Sequence, residues 1–169
     1  MSNLQISIEA PAIDPQIKRL GNYDQRWLVR TKDAMSKTVL LVEAGSKEEA
    51  PVWRGHLRRS LSSKVEAVSS VITGRVGSNL DSAYPATMEN GRLPGSKMPP
   101  PSALERWVEL VLGVPEAEAP GVAFVVARSI ARKGIKGVFF LKRTYTEGKD
   151  RIVGFFQEAA ALIMKDMRS

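Results

Sequence analysis

The stretch HLRRSLSSKVEAVSSVITGRVGSN, residues 56–79, decides the fold class. Val65 and Ala67 alternate with Lys64 and Glu66, and Ile72, Gly74 and Val76 alternate with Thr73, Arg75 and Gly77. A period of two with apolar residues on one side predicts two antiparallel strands with one wet face. Ser69–Ser70 is placed to turn between them.

Helical patterns lie on both sides of this pair. Upstream, Asp14 and Pro15 are set to start a helix, and Ile17, Leu20, Trp27, Leu28, Thr31, Met35 and Thr38 fall largely on one face. Gly45 has the character of a C-terminal cap, so the expected helix runs over about 15–44, with a loop from 46 to 53. Before it, Leu4, Ile6 and Ile8 alternate with polar residues and predict a short strand. Downstream, AYPATMENG, 83–91, is expected to add an edge strand, because proline is tolerated only at an edge.

The segment RLPGSKMPPP, 92–101, holds four of the ten prolines and predicts an irregular, mobile loop. Ser102 and Glu105 have capping-box spacing, and Leu104, Trp107, Val108, Val111 and Leu112 then trace an apolar helical stripe that Gly113 ends. The linker VPEAEAPG leads to a second helix over about 120–133. GVFFL, 137–141, reads as a buried strand. Thr144 and Glu147 form a further capping box before a last helix reaching about 167. The expected class is α+β: a small antiparallel sheet packed with a long N-terminal helix and a C-terminal helix, with 92–136 inserted as a loop and helical pair in a single domain, 1–169.

The 169 residues, 43% hydrophobic and 25% charged, are enough for one domain with its own core. No apolar run approaches the ~20 residues of a membrane span. The N-terminal stretch has no cationic start followed by an apolar core, so no signal peptide is expected. With 0 cysteines, disulfides, thiolate metal sites and cysteine nucleophiles are excluded. The net charge of +7 favours anionic partners. It is concentrated in two stretches: Arg54, Arg58, Arg59, Lys64 and Arg75 against Glu66, and the run from Arg128 to Arg151 against Glu147 and Asp150.

Little in the chain points to catalysis. His56 is the one histidine and lacks a nucleophile in a recognisable setting. GRVGSN, 74–79, lacks the Lys-Ser/Thr of a phosphate loop, and a bulge or turn after a strand explains its glycines. Glu48 and Glu49 fall in a loop and Glu116 and Glu118 in a linker, away from the acids Asp81 and Glu89 that flank Tyr84. Asp81 and Glu89 are the one pair that a metal-dependent nuclease could draw on. Trp27 and Trp107 lie on apolar helix faces and are expected in the core, whereas Trp53 stands in a loop beside Arg54.

PVWRGHLRRSL, 51–61, resembles a motif of the tail-completion, or head–tail joining, proteins of long-tailed bacteriophages. That motif runs Pro-Val-x-Thr-Gly-x-Leu-Arg-x-Ser-Ile. Pro51, Val52, Gly55, Leu57, Arg58 and Ser60 match it, Leu61 stands for isoleucine, and Arg54 replaces threonine. Gly74–Asn79 followed by Tyr84, Glu89 and Gly91 resembles a second family block, with Pro85 in place of alanine. GVFFLKRTY, 137–145, resembles a third, without its prolines. The resemblance covers about 15–167 in element order.

The resemblance implies a non-enzymatic virion protein of the neck or upper tail, made in the host cytoplasm. It would form a homo-oligomeric, hexameric ring between a connector or adaptor and the tail-tube or tail-terminator protein, with DNA passing through the lumen. No cofactor, metal or membrane is implied. The interface residues expected on this basis are Trp53, Arg54, Gly55, His56, Arg58, Arg59, Tyr84 and Glu89. The alternatives are a basic nucleic-acid-binding module and a small metal-dependent nuclease.

Overall fold

The computed structural model describes residues 4–10, 23–68 and 71–166. The fold is α+β. The chain divides into two compact units, Met1–Ala86 with Phe139–Ser169, and Thr87–Val138, with the first boundary inside one short helix.

The first unit is built on a three-stranded antiparallel sheet of order β1-β3-β2, from β1 (Gln5–Ala10), β2 (Leu61–Val68) and β3 (Val71–Ser78). The expected alternation holds. Val65 pairs with Gly74 and Ser63 with Val76 on one face, while Lys64 pairs with Arg75 and Glu66 with Thr73 on the other. On the first face Ile72, Gly74, Val76 and Ser78 of β3 are buried. The second face is wet, and there Glu66 forms ion pairs with both Lys64 and Arg75. The expected turn at Ser69–Ser70 lies outside the described residues.

The long helix α1 (Tyr23–Glu49) covers the buried face. Its stripe of Thr31, Ala34, Met35, Thr38, Val39, Val42 and Ser46 is buried at helical spacing. Burying a side chain such as Met35 contributes about 1.5–3 kcal/mol. Gly74 allows the approach: a Cβ there would stand 2.5 Å from Val39 Cγ1 and 2.6 Å from Met35 Sδ. Gly77 does the same for β1, since its Cβ would meet the Leu4 carbonyl. The glycines of 74–79 therefore serve close packing inside a regular strand, and neither a bulge nor a turn occurs there.

The helix α6 (Phe140–Asp166) packs antiparallel along α1. Arg143 pairs with Glu49 at one end and Arg30 with Asp166 at the other. The two helices come together where Gly45 meets Thr144: a Cβ on Gly45 would lie 2.5 Å from Thr144 Cγ2. This corrects two expectations. Gly45 does not cap α1, which continues to Glu49 and takes in 46–49 of the expected loop. Thr144 does not cap the last helix, because α6 already starts at Phe140 and the buried Thr144 hydroxyl donates to the Phe140 carbonyl at 2.8 Å. GVFFL is not a strand either: Phe140 and Leu141 are fully buried in the first turn of α6. The expected start of the first helix near Asp14 and Pro15 lies outside the described residues.

AYPATMENG supplies α3 (Tyr84–Asn90), not an edge strand. Pro85 sits in its first turn, where a missing N–H costs nothing. The second unit holds the two-stranded ladder of β4 (Gly91–Arg92) and β5 (Ile135–Lys136) and the hairpin of α4 (Ser102–Leu112) and α5 (Ala119–Lys133). Val108, Ala119 and Ala123 form its buried centre, with Leu104, Trp107, Val114, Val122 and Val126 packed around them. Trp107 is half-buried, not enclosed. Gly113 ends α4 in the left-handed region, as expected, but no side-chain cap bond starts it, because Ser102 is already helical. Arg92 of the expected loop belongs to β4; residues 93–101 have no regular structure, yet Gly95 N–H donates to the Ala131 carbonyl at 2.7 Å, which ties them to α5. No helix among the described residues is long and apolar enough to cross a membrane.

Candidate functional site

The Pro51–Leu61 stretch forms a corner after α1. Arg54 and Gly55 both have positive φ, 58° and 69°, so the chain reverses there through two left-handed residues. Gly55 takes this conformation freely, whereas Arg54 bears strain of about 1–2 kcal/mol. The short helix α2 (His56–Ser60) starts from Gly55, whose carbonyl accepts the Arg59 N–H at 2.9 Å.

Two kinds of residue share the corner. Leu57 and Leu61 are buried and anchor it to the sheet. The Ser60 hydroxyl donates to the Leu57 carbonyl at 2.7 Å and lies 2.7 Å from the Ser78 hydroxyl. These matched motif residues hold the corner rather than face a partner. Val52, at 62%, Arg54, His56 and Arg59 are the exposed residues. The Arg54 guanidinium stacks over the Trp53 ring at 5.5 Å.

Arg58 and Arg59 are not equivalent. The half-buried Arg58 donates to the Glu48 carbonyl at 3.2 Å, satisfying one of the open carbonyls at the end of α1. Arg59 donates to the Arg54 carbonyl at 3.0 Å and so braces the strained reversal. None of the three arginines has a carboxylate partner among the described residues. In the corner Trp53 Nε1 and Arg58 Nε are buried with no hydrogen-bond partner among the described residues, as is Ser46 Oγ in α1.

Of the remaining candidates, His56 belongs to the corner and is exposed at the start of α2. Tyr84 is partly exposed at the start of α3, where burial pushes its phenol above the ordinary value. Glu89 is 4% exposed and Asp81 exposed. Among the described residues no three His, Asp or Glu side chains gather to hold a metal ion.

Sequence reading missed one surface. The tip of the α4–α5 hairpin exposes Leu110, Val111 and Leu112 at 50–53%, next to exposed Glu116 and Glu118. Glu118 is the N-cap of α5 but makes no side-chain cap bond. The only sequence signal was the pair of acids in the linker. Comparison with protein-family models, curated proteins and solved structures finds no match.

Proposed function

We propose that the chain is a non-enzymatic structural subunit of a long-tailed phage particle. In this reading it assembles as a ring at the head–tail junction or upper tail and joins a connector to the tail tube. The observation that carries the reading is the corner itself. The stretch with the motif resemblance is fixed from behind by Leu57 and Leu61 and presents Val52, Arg54 and Arg59 outward, with the half-buried Trp53 ring under the Arg54 guanidinium. Its guanidinium groups have no carboxylate partner among the described residues, and such planar donors suit carboxylates on another chain. A mixed aromatic, aliphatic and arginine surface is the composition of a protein interface.

The test is charge reversal in the phage. Particles made with Arg54→Glu and Arg59→Glu should accumulate as filled heads and separate tails in electron micrographs of lysates. Normal infectious particles from that variant contradict the reading.

A nucleic-acid-binding reading draws on a different observation: Phe139 is exposed with positive φ, and Lys142 lies over its ring at 5.8 Å. Binding of single-stranded DNA that weakens steeply with salt and is lost in Phe139→Ala would favour it.

A further inference from the structure

We infer that the subunits associate head to tail, with the tip of the α4–α5 hairpin of one copy seated on the Val52–Arg59 corner of the next. This rests on the ring reading above and names the two surfaces that meet. Each surface pairs apolar area with charge of one sign. The corner offers the exposed Val52 and the open part of the half-buried Trp53 ring with Arg54 and Arg59. The tip offers Leu110, Val111 and Leu112 with Glu116 and Glu118.

On neither surface do these charges meet an opposite charge inside the fold: Arg59 donates to the Arg54 carbonyl and Arg54 lies over the Trp53 ring. Among the described residues the two arginines and the two glutamates form no ion pair, and Glu118 leaves its own helix uncapped by its side chain. The signs also select the pairing. Corner against corner sets arginines against arginines, and tip against tip sets glutamates against glutamates, so both like-with-like contacts are disfavoured. Corner against tip brings opposite charges together around an apolar centre. That contact uses two different patches, so it is heterologous and gives a ring when its rotation closes.

The experiment uses the purified full chain at low salt, with mass photometry and sedimentation velocity as readouts and thermal melting as the check on folding. One variant carries Arg54→Glu and Arg59→Glu, the other Glu116→Arg and Glu118→Arg. Each alone should self-associate about ten- to a hundredfold more weakly than the wild type while melting cooperatively. Mixed in equal amounts they should assemble to the wild-type size, because every contact in the mixture is again between opposite charges. The chain with all four substitutions should also assemble. A mixture that assembles no better than its components overturns the inference. A wild-type assembly that neither variant weakens overturns the contact but leaves the ring reading standing. A wild-type chain that stays monomeric at every concentration overturns both.

Discussion

Gly45→Ala tests the packing that places the corner. Two effects oppose each other at this position. Alanine in a helix interior is better than glycine by about 1 kcal/mol. Against this, the new Cβ would lie 2.5 Å from Thr144 Cγ2, closer than real Cβ atoms come to a neighbour. Thr144 is not free to turn away, since its hydroxyl is bonded to the Phe140 carbonyl. Overpacking of this kind costs about 1–3 kcal/mol. The single variant should therefore fall between no change and about 2 kcal/mol of lost stability. Thr144→Ser removes Cγ2 and keeps the hydroxyl. In that background Gly45→Ala should stabilise by about 1 kcal/mol, since the remaining contacts are ordinary ones. Urea denaturation of the four chains gives the coupling, expected at about 1–3 kcal/mol. Additivity within about 0.5 kcal/mol would show that α1 and α6 do not cross at this contact.

Three further outcomes follow from the same geometry. Gly55→Ala should cost about 1–2 kcal/mol in denaturant titration, because alanine resists φ 69° and its Cβ would stand 2.9 Å from Arg59 Nη1. Burial pushes the Glu43 carboxyl up, but hydrogen bonds from Lys47 and Ser63 outweigh it and hold the group below its ordinary value. Its contribution to stability is thus present above the ordinary carboxylate range and is lost as pH falls through the lowered value. Glu43→Gln should lose less stability than wild type on acidification, read as melting temperature against pH. Trp107→Ala should cost about 2 kcal/mol in thermal melts, less than the 3–5 kcal/mol of an enclosed tryptophan, because its ring is only half-buried on the α4–α5 centre.

The sheet was legible because residues 61–78 alternate with a period of two that leaves one face polar. The errors arose where one local signal has two physical causes. Gly45 inside α1 looks like a cap, but the reason for glycine is Thr144, about a hundred residues away and invisible to local pattern. Pro85 is compatible with an edge strand or with the first turn of a helix, and the helix formed. The apolar run at 137–141 is too short to separate a buried strand from a buried helix start. At the corner, the crowding of arginines could be read from the sequence. The left-handed Arg54 could not, since Gly55 alone accounts for a turn. The hairpin tip escaped notice because Val111 and Leu112 continue an apolar stripe that ought to be buried, yet the helix end leaves them exposed.

A subunit that joins head to tail has one place in the particle. Immunogold labelling of purified phage carrying a tagged copy, viewed by electron microscopy, measures this in one step. The expected result is label confined to the junction between head and tail or the upper end of the tail. Label on the capsid shell or the tail tip, or particles that carry no label at all, would contradict the account.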